Sequence, residues 1–442
     1  MRDVLLTLLI PAALIWGLFS ARGAVLGMMW IGFQRPYDFS WGMWHDAPVW
    51  KLAFAIALLS NLLRGQLRPK FPGVLVYYLL LCTWITITCT TAFLPERSWT
   101  FYSLYMVALI FGPMLTLAVI NDLSLLRESM WVATGSLALT AFKTGAVLAF
   151  SGGAVITQQI SGFVGDNNVF GLVLCLVVGM VMGLRGTLPE RRGVRIALFV
   201  TLAFVVLTIV FTKSRGALLS LAVILATASI LGRKPLRYLS LLLVVAALAY
   251  AAIPDRYFDR LQSLEDVSAD ASAMGRIENW KLAWQEAVDN PVFGVGIGNH
   301  LVYNEARGLG NHHVAHSIYL QILGETGFVG LAIYLLFVVA ALRMLRRNWR
   351  QLTGIAAARP EFRWAADLSF WMFCSYVGYL FGSAFLNMLF IEFPWYMVFF
   401  ASLLLRLVEK EVAVGAIAQA ERSRALIPRA NSVSTPARRQ GV

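Results

Sequence analysis

The sequence has little charge for its 442 residues. Only 14% of the residues are charged, against roughly 25% in soluble proteins, and 59% are hydrophobic. Uncharged apolar runs recur along most of the chain, and about 20 such residues can cross a bilayer as one helix. This composition excludes an ordinary soluble protein and predicts an all-α, polytopic membrane protein.

Cysteine is scarce as well, which bears on disulfides and metals. We interpret the cysteines as small core residues outside any disulfide framework, because they lie in apolar runs without metal-ligand spacing. They are Cys82, Cys89, Cys175 and Cys374. The first apolar run, VLLTLLIPAALIWGLFS, is not followed by a small-residue cleavage pattern. We therefore expect it to be a retained membrane segment.

The formal net charge of +13 follows membrane topology rather than a nucleic-acid partner. Basic residues cluster in alternate connections, and the connections between them are nearly free of such residues. The basic clusters occupy 64–70, 185–195, 233–237 and 343–350. By the positive-inside rule these connections face the cytoplasm. The C-terminus is then cytoplasmic, and 151–165, 212–214 and 254–315 lie on the external side.

The apolar runs predict about 12 transmembrane helices, with residues 4–33 forming either one broken span or two short ones. We divide the chain into an N-terminal transmembrane bundle, one long periplasmic loop region, C-terminal transmembrane helices, and a basic cytoplasmic tail that we expect to be disordered. These are residues 1–253, 254–315, 316–408 and 409–442. Within the loop, GRIENWKLAWQEAVDNP has helical apolar spacing. It predicts an amphipathic helix on the membrane face or over a cavity.

Two cations stand where the charge rule disfavours them. The stretch FTKSRGALLS places Lys213 and Arg215 on the external side. An arginine drawn into the bilayer centre costs about 2.5–3.5 kcal/mol, and its planar fork suits phosphate oxygens. We therefore predict an anion bound at Arg215; an interfacial anchor is the alternative. Arg276 opens the loop helix against its dipole and also indicates an anion, with a solvated arginine as the alternative.

His316 stands at the expected start of a long apolar run. The positive helix N-terminus disfavours imidazolium, and a neutral imidazole can accept a proton as a general base does. A polar interfacial cap is the alternative. Asn167 marks the mouth of another span, where an ordinary helix cap is the alternative. The cluster of His312, His313 and His316 lacks accompanying acids or cysteines, so we do not expect a metal site.

These residues resemble a known family. In HSIYLQILGETGFVG, His-Ser precedes nine residues and a Gly-x-x-Gly turn, which resembles the O-antigen ligase motif. The segments SRG at 214–216 and GRIENWKLAWQEAVDNPVFGVGIGN at 275–299 resemble two further signatures of the ligase and polymerase superfamily. The N-terminal stretch resembles the exosortase-associated O-glycosylation ligase branch. The resemblance covers nearly the whole chain except the tail.

The resemblance implies a metal-independent, inverting glycosyltransferase without a cofactor in the bacterial inner membrane, with its active site facing the periplasm. The donor would be a polysaccharide linked to undecaprenyl pyrophosphate, and the acceptor a sugar hydroxyl of lipid A-core. His316 would be the general base and Arg215 the second catalytic residue. Substrate would be bound by Arg276, Lys213, Ser317, His313 and Asn167. The commoner motif has Asn at position 317, so whether Ser317 orients the histidine stays open.

Other functions remain open at this stage. An O-antigen polymerase or a protein O-oligosaccharyltransferase would use the same residues with another acceptor. A transporter of lipid-linked sugars or small molecules belongs to another class, for which charges at mid-depth are expected. The apolar runs carry few such charges, and Lys143 is the main one. We therefore favour an enzyme.

Overall fold

The computed structural model describes residues 2–150, 166–252, 271–309 and 314–425. In these ranges the regular secondary structure is helical. The first half contains α1 Arg2–Phe19, α2 Ala21–Gln34, α3 Val49–Leu63, α4 Gly73–Thr90, α5 Pro95–Phe101, α6 Val107–Val119, α7 Leu123–Phe150 and α8 Asn167–Leu184. The second half contains α9 Arg192–Phe211, α10 Arg215–Leu231, α11 Pro235–Ala252, α12 Ala271–Asp289, α13 His300–Ala306, α14 Ile318–Ala358, α15 Arg363–Gly382 and α16 Glu392–Ala425.

Seven helical segments in the described part of the chain are long and apolar enough to cross a membrane. They are Gly73–Thr90, Pro95–Val119, Leu123–Phe150, Asn167–Thr187, Arg192–Phe211, Ile318–Ala358 and Pro360–Phe385. Four shorter apolar helices accompany them: Asp3–Phe19, Val49–Leu63, Arg215–Leu231 and Pro235–Ala247. The all-α multi-pass prediction is confirmed in this coarse form, and the number of 12 spans stays a prediction.

The ambiguous N-terminal region forms two helices rather than one broken span. The chain reverses at Ser20, whose hydroxyl accepts a hydrogen bond from Gly23 N (3.0 Å) and caps α2. Asp3 lies beside the connection that follows α2, because its carboxylate accepts a hydrogen bond from Ser40 (2.8 Å). Pro11 lies inside α1 without ending it. The helices α1 and α2 therefore form a hairpin.

Small residues allow the central helices to approach closely. A Cβ at Gly179 would overlap the Ser375 hydroxyl, and one at Gly183 would lie 2.8 Å from Leu368 Cα on α15. Beside α8, Ser220 of α10 donates a hydrogen bond to Gly378 O of α15 (2.7 Å). Small residues and interhelical hydrogen bonds are the usual means of association in lipid, where apolar burial alone drives little. The trio α8, α10 and α15 forms the centre of the bundle.

Two predicted boundaries need correction. The long helix α14 begins at Ile318 rather than at residue 316, and it kinks at Gly327. The predicted tail boundary at residue 408 falls inside α16, which continues to Ala425. Good helix formers such as Ala, Glu and Lys extend a helix beyond its apolar part, so the end of the apolar run does not mark the end of α16. Residues 426–442 lie outside the described residues.

The close contact between α8 and α15 predicts that a larger side chain at their interface destabilises the protein. We expect Gly183→Leu to cost about 1–3 kcal/mol through overpacking and to lower the thermal unfolding midpoint of the detergent-solubilised protein. Gly354→Leu is the matched control, since a Cβ at Gly354 meets no atom within 4 Å. Equal midpoints for the two variants would contradict this packing.

Candidate active site

The connection between α15 and α16 brings several helix starts together. We call residues 383–391 the bridging loop; it opens with a 3-10 turn at Ser383–Phe385. The starts of α10 and α14 and the first half of α12 contact this loop, as the next paragraphs show. We call this end of the bundle the site end. Most of the predicted site residues lie there.

The start of α10 carries the two predicted cations. Ser214 caps the helix by accepting a hydrogen bond from Ala217 N (3.2 Å), and Arg215 is its first residue. Both Lys213 and Arg215 are exposed. Next to Arg215, a Cβ at Gly216 would lie 3.9 Å from Phe385 and Leu386 of the bridging loop. The backbone of α10 at Arg215 is therefore adjacent to the loop.

The start of α14 is fastened to the same loop. Ser317 N donates a hydrogen bond to Asn387 Oδ1 (3.1 Å), and the Ser317 hydroxyl accepts one from Leu320 N (3.5 Å) as the helix cap. Ser317 is buried, whereas His316 is partly exposed directly before it. The structure gives Ser317 a capping role. Its contact with substrate stays a prediction.

The helix α12 reaches the bridging loop through an aromatic contact. Trp280 and Phe385 have ring centroids 6.1 Å apart. The helix runs in the same direction as the first part of α14: Ala283 lies beside Gly324, and Phe328 N donates to Pro291 O (2.9 Å). Arg276 precedes Ala283 by as many residues as Ser317 precedes Gly324. Arg276 is therefore level with the start of α14, and it is half-buried.

Asn167 lies at the start of α8, beside the start of α10. A Cβ at Gly171, one turn after Asn167, would contact Thr212 and Ala217. Asp166 is the helix cap and accepts a hydrogen bond from Asn168 N (2.6 Å). The capping alternative thus applies to Asp166 and leaves the side chain of Asn167 for another role. Its carbonyl oxygen is buried and has no hydrogen-bond partner among the described residues.

The electrostatics of the site end favour an anion. The helices α8, α10 and α14 all begin there, and each helix N-terminus carries roughly half a positive charge. Lys213 and Arg215 add two exposed full charges. Asp166, at the start of α8, is engaged in capping that helix. Backbone N–H groups and guanidinium groups at helix starts form a common type of phosphate site.

Backbone strain is concentrated at the same place. Among the residues that the structure describes, three non-glycine residues have positive φ: Arg35 (44°), Lys213 (54°) and His316 (48°). Such conformations cost about 1–3 kcal/mol and occur preferentially at functional sites. Two of the three are predicted site residues. The strained turns hold Lys213 and His316 immediately before the helix starts.

The kink at Gly327 shows how the loop region is attached. Gly327 has φ +73° and ψ −177°, a conformation restricted to glycine. The interrupted helix leaves backbone groups that find partners outside α14: Val295 N donates to Gly324 O, Gly296 N to Glu325 O (both 2.9 Å), and Trp84 Nε1 to Thr326 O (2.9 Å). Residues 293–298 are thus hydrogen-bonded to α14. This glycine-rich turn is buried at residues 294–297 and is held in place by those hydrogen bonds.

Buried charged groups reinforce this attachment. Glu286 of α12 pairs with His300 Nδ1 (2.7 Å) and accepts a hydrogen bond from Asn304 (2.5 Å), and all three are nearly inaccessible. At the end of α12, Gln285 donates to Asp289 and Arg307 pairs with it, which lowers the pKa of the Asp289 carboxyl below its usual range. These contacts join α12 to α13, whereas Ala283 and Glu286 of α12 lie beside Gly324 of α14. The helix exposes Trp284 and Val288.

Three residues at the site escaped sequence reasoning: Asn387, Phe385 and Trp280. Asn387 and Ser317 are 70 residues apart, so no local pattern relates them. Trp280 was noted only as part of an apolar face, yet its indole N–H is buried without a hydrogen-bond partner in the described ranges. His312 and His313 lie outside the described residues. Within the described ranges no three His, Cys, Asp or Glu side chains are grouped as metal ligands.

Two segments of the chain match families of known proteins. Residues 197–335 match a family described as O-antigen ligase. Residues 1–182 match a family of unknown function, DUF5935. No curated protein matches the chain. The first match contains the start of α10, all of α12 and the start of α14, and so includes Lys213, Arg215, Arg276 and His316.

The kink predicts a sharp response to one added methyl group. A Cβ at Gly327 would clash with Val292 O and lie 2.8 Å from Pro291 O, in addition to the unfavourable φ. We expect Gly327→Ala to destabilise the protein by about 1–3 kcal/mol and to expose 290–309 to limited proteolysis. Gly354→Ala, in the same helix but with open space, should be neutral or stabilising. Wild-type protease resistance in Gly327→Ala would show that the kink does not hold this region.

Proposed function

We propose that this chain, whose residues 197–335 match the O-antigen ligase family, is a ligase acting on a polyprenyl-linked glycan. It transfers a polysaccharide from undecaprenyl pyrophosphate to a sugar hydroxyl of lipid A-core. The reaction takes place on the periplasmic face of the inner membrane. The observation that carries the proposal is the bridging loop, which contacts the helix starts that bear His316 and Arg215 together with the helix that bears Arg276.

In this proposal His316 removes the proton from the acceptor hydroxyl. Its backbone is held by two constraints, the positive φ of the residue itself and the hydrogen bond of the following N–H to Asn387. A general base must lie within about 3 Å of the proton that it abstracts. A backbone held at residues 316 and 317 favours a constant position of the imidazole. A positioned base typically contributes 10²–10⁴-fold to the rate.

The cations stabilise the leaving group. The acceptor oxygen attacks the anomeric carbon, the bond from that carbon to the pyrophosphate oxygen breaks, and the configuration inverts. Negative charge then accumulates on the departing pyrophosphate. Arg215 and Arg276 bind this charge, Lys213 assists, and the N-termini of α8 and α10 add favourable dipoles. The proton of the acceptor ends on His316.

Two polar atoms suit the sugars of the substrates. The buried carbonyl oxygen of Asn167 can accept a hydrogen bond from a sugar hydroxyl, and the Trp280 indole N–H can donate one. Sites that recognise hydroxyls depend on such convergent polar groups within an apolar surface. His313 keeps its assignment to substrate binding. The Ser317 hydroxyl caps α14 directly after the base, and its assignment to substrate binding stays a prediction.

The proposed site suits a membrane-borne donor. A lipid-linked pyrophosphate needs its tail in lipid and its head in water, and Arg215 begins an apolar helix of 17 residues. A polymerase or a protein O-oligosaccharyltransferase would use the same groups, so the acceptor decides between these functions. Lys143, the charge that favoured a transporter, lies 4.5 Å from the centroid of Phe39 as a cation–π pair. That contact gives Lys143 a structural partner at the bundle surface.

The first test separates the base from the cation. We expect His316→Ala to reduce transfer from lipid-linked polysaccharide to lipid A-core at least 100-fold while undecaprenyl pyrophosphate still binds. Arg215→Ala should weaken binding of undecaprenyl pyrophosphate about tenfold or more, because a charge-assisted contact is lost. Both quantities are measured with purified full-length protein in nanodiscs.

The matched control is Arg346→Ala, an exposed arginine at the opposite end of the bundle, which should change neither quantity. Transfer at the wild-type rate by His316→Ala would show that His316 is not the general base. Unchanged donor affinity in Arg215→Ala would remove Arg215 from the pyrophosphate site. A third outcome is that the wild type transfers glycan to a protein or to a second glycan and not to lipid A-core. The function would then be that of a protein O-oligosaccharyltransferase or an O-antigen polymerase, respectively.

A second test addresses the hydrogen bond that fixes the base. Asn387→Leu removes the acceptor of the Ser317 N–H, whereas Asn387→Asp retains an oxygen at that position. We expect Asn387→Leu to lower kcat about tenfold or more with little change in KM for the donor, and Asn387→Asp to restore much of the loss. Equal kcat values in both variants and the wild type would show that Asn387 does not position His316.

A further inference from the structure

A cavity lies far from the site end. It has a volume of about 450 Å³ and is bounded by α7, α8 and α9. Its walls include Trp131, Gly135 and Phe142 of α7, Val181 of α8, and Leu198 of α9. Val181 lies four turns along α8 from Asn167, roughly 20 Å at 1.5 Å per residue. The cavity is therefore near the opposite end of the bundle, where the basic connection 185–195 lies.

The walls of the cavity are mainly apolar. The Trp131 indole N–H donates to the Thr187 hydroxyl (2.8 Å), and Thr187 in turn donates to Leu184 O (2.7 Å). The Thr201 hydroxyl donates to Ala197 O within its own helix (2.8 Å). These polar groups are satisfied within the protein. An occupant needs no hydrogen-bonding group inside the cavity, as is true of a hydrocarbon chain.

The cavity is accessible from lipid. Two residues of its wall, Leu139 of α7 and Ala197 of α9, are exposed at the surface of the bundle. The volume is within the range of small-ligand pockets, roughly 300–1,000 Å³. A hydrocarbon chain could enter sideways between α7 and α9 without crossing a polar surface.

The mouth of the cavity is positively charged. Leu188 and Val194 belong to its wall, and the connection between them carries Arg191 and Arg192, both exposed. Arg195 follows directly, and Glu190 is the single acid between the two wall residues. In the described ranges the salt bridges involve other arginines. The positive-inside rule explains arginines in this connection, but it does not explain an apolar cavity beside them.

We propose that this cavity is a phospholipid site, in which one acyl chain fills the space between α7 and α9 and Arg191 and Arg192 hold an anionic headgroup. Guanidinium groups suit the phosphate and add selectivity for negative headgroups. The site is separate from the donor site and does not depend on the proposed function. Its occupant belongs to the leaflet at the basic end of the bundle.

The test uses delipidated full-length protein and native mass spectrometry. Phosphatidylglycerol and phosphatidylcholine with identical acyl chains are titrated separately. We expect the wild type to retain one phosphatidylglycerol with an apparent Kd at least tenfold below that for phosphatidylcholine. Arg191→Gln with Arg192→Gln should abolish this difference. The same changes at Arg346 and Arg347, which are exposed in α14, should leave it intact.

A larger side chain that fills the cavity should exclude the acyl chain of the lipid. A Cβ at Gly135 meets no atom within 4 Å, so Gly135→Leu adds volume to the cavity at a helical position where Leu is favoured over Gly. We expect it to lose the tightly bound phosphatidylglycerol, as should Ala197→Leu on the opposite wall, while Gly354→Leu retains it. The thermal unfolding midpoint of each variant verifies folding.

Retained phosphatidylglycerol in folded Gly135→Leu and Ala197→Leu would overturn the proposal, as would equal affinity for the two lipids in the wild type. A further outcome is that undecaprenyl phosphate displaces the bound phosphatidylglycerol in a way that excess phosphatidylglycerol does not reverse. This result would assign the cavity to the donor tail. That outcome would also overturn the phospholipid site.

Discussion

The arrangement of the site depends on the hydrogen bond between the Ser317 N–H and Asn387. The first N–H groups of a helix have no partner within the helix, and each needs one from elsewhere when it is buried. Asn387 supplies that partner from a loop whose neighbours, Phe385 and Leu386, pack beside Gly216. One contact therefore orients the start of α14 and relates it to the start of α10. The Tyr319 hydroxyl also attaches α14 to the end of α15, through a hydrogen bond to Leu380 O (2.9 Å). The contact with Asn387 is the one that fixes the backbone directly beside His316.

The lipid environment favours helix starts as the place for the proposed chemistry. Charged groups inside a bilayer are costly, and irregular backbone is tolerated only where protein or water satisfies it. Helix starts at the bundle end meet both conditions, because they offer unpaired N–H groups and access to water. The strained residues Lys213 and His316 stand at two such starts. The kink at Gly327 follows the same rule, since protein groups satisfy each backbone group that it releases.

Much of the fold could be predicted from local pattern. The start of α10 at Arg215 follows from an apolar run preceded by Ser214, a good helix cap. The same capping rule, applied to Ser317, would have moved the start of α14 from residue 316 to residue 318. Apolar periodicity does not reveal the kink at Gly327, because the apolar run continues through it, although the Gly-x-x-Gly segment that begins at this glycine indicates a turn.

The remaining features of the site depend on contacts between distant segments. Asn387 follows an apolar helix in an ordinary connection, and nothing local distinguishes it from a solvated loop residue. Trp280 has the spacing of an amphipathic face, which predicts burial but not an unpaired indole N–H beside Phe385. Candidate residues with unusual charge or position, such as Arg215 and His316, could be selected from the sequence. The residues that hold them in place could not.

The most direct measurement is a structure of the full-length protein in a lipid nanodisc with bound undecaprenyl pyrophosphate. We predict that the pyrophosphate lies between the starts of α10 and α14, with an Arg215 nitrogen about 3 Å from a phosphate oxygen. The His316 ring should face the position of the transferred sugar. A pyrophosphate bound away from both helix starts, or an imidazole and a guanidinium that face different openings, would contradict the account.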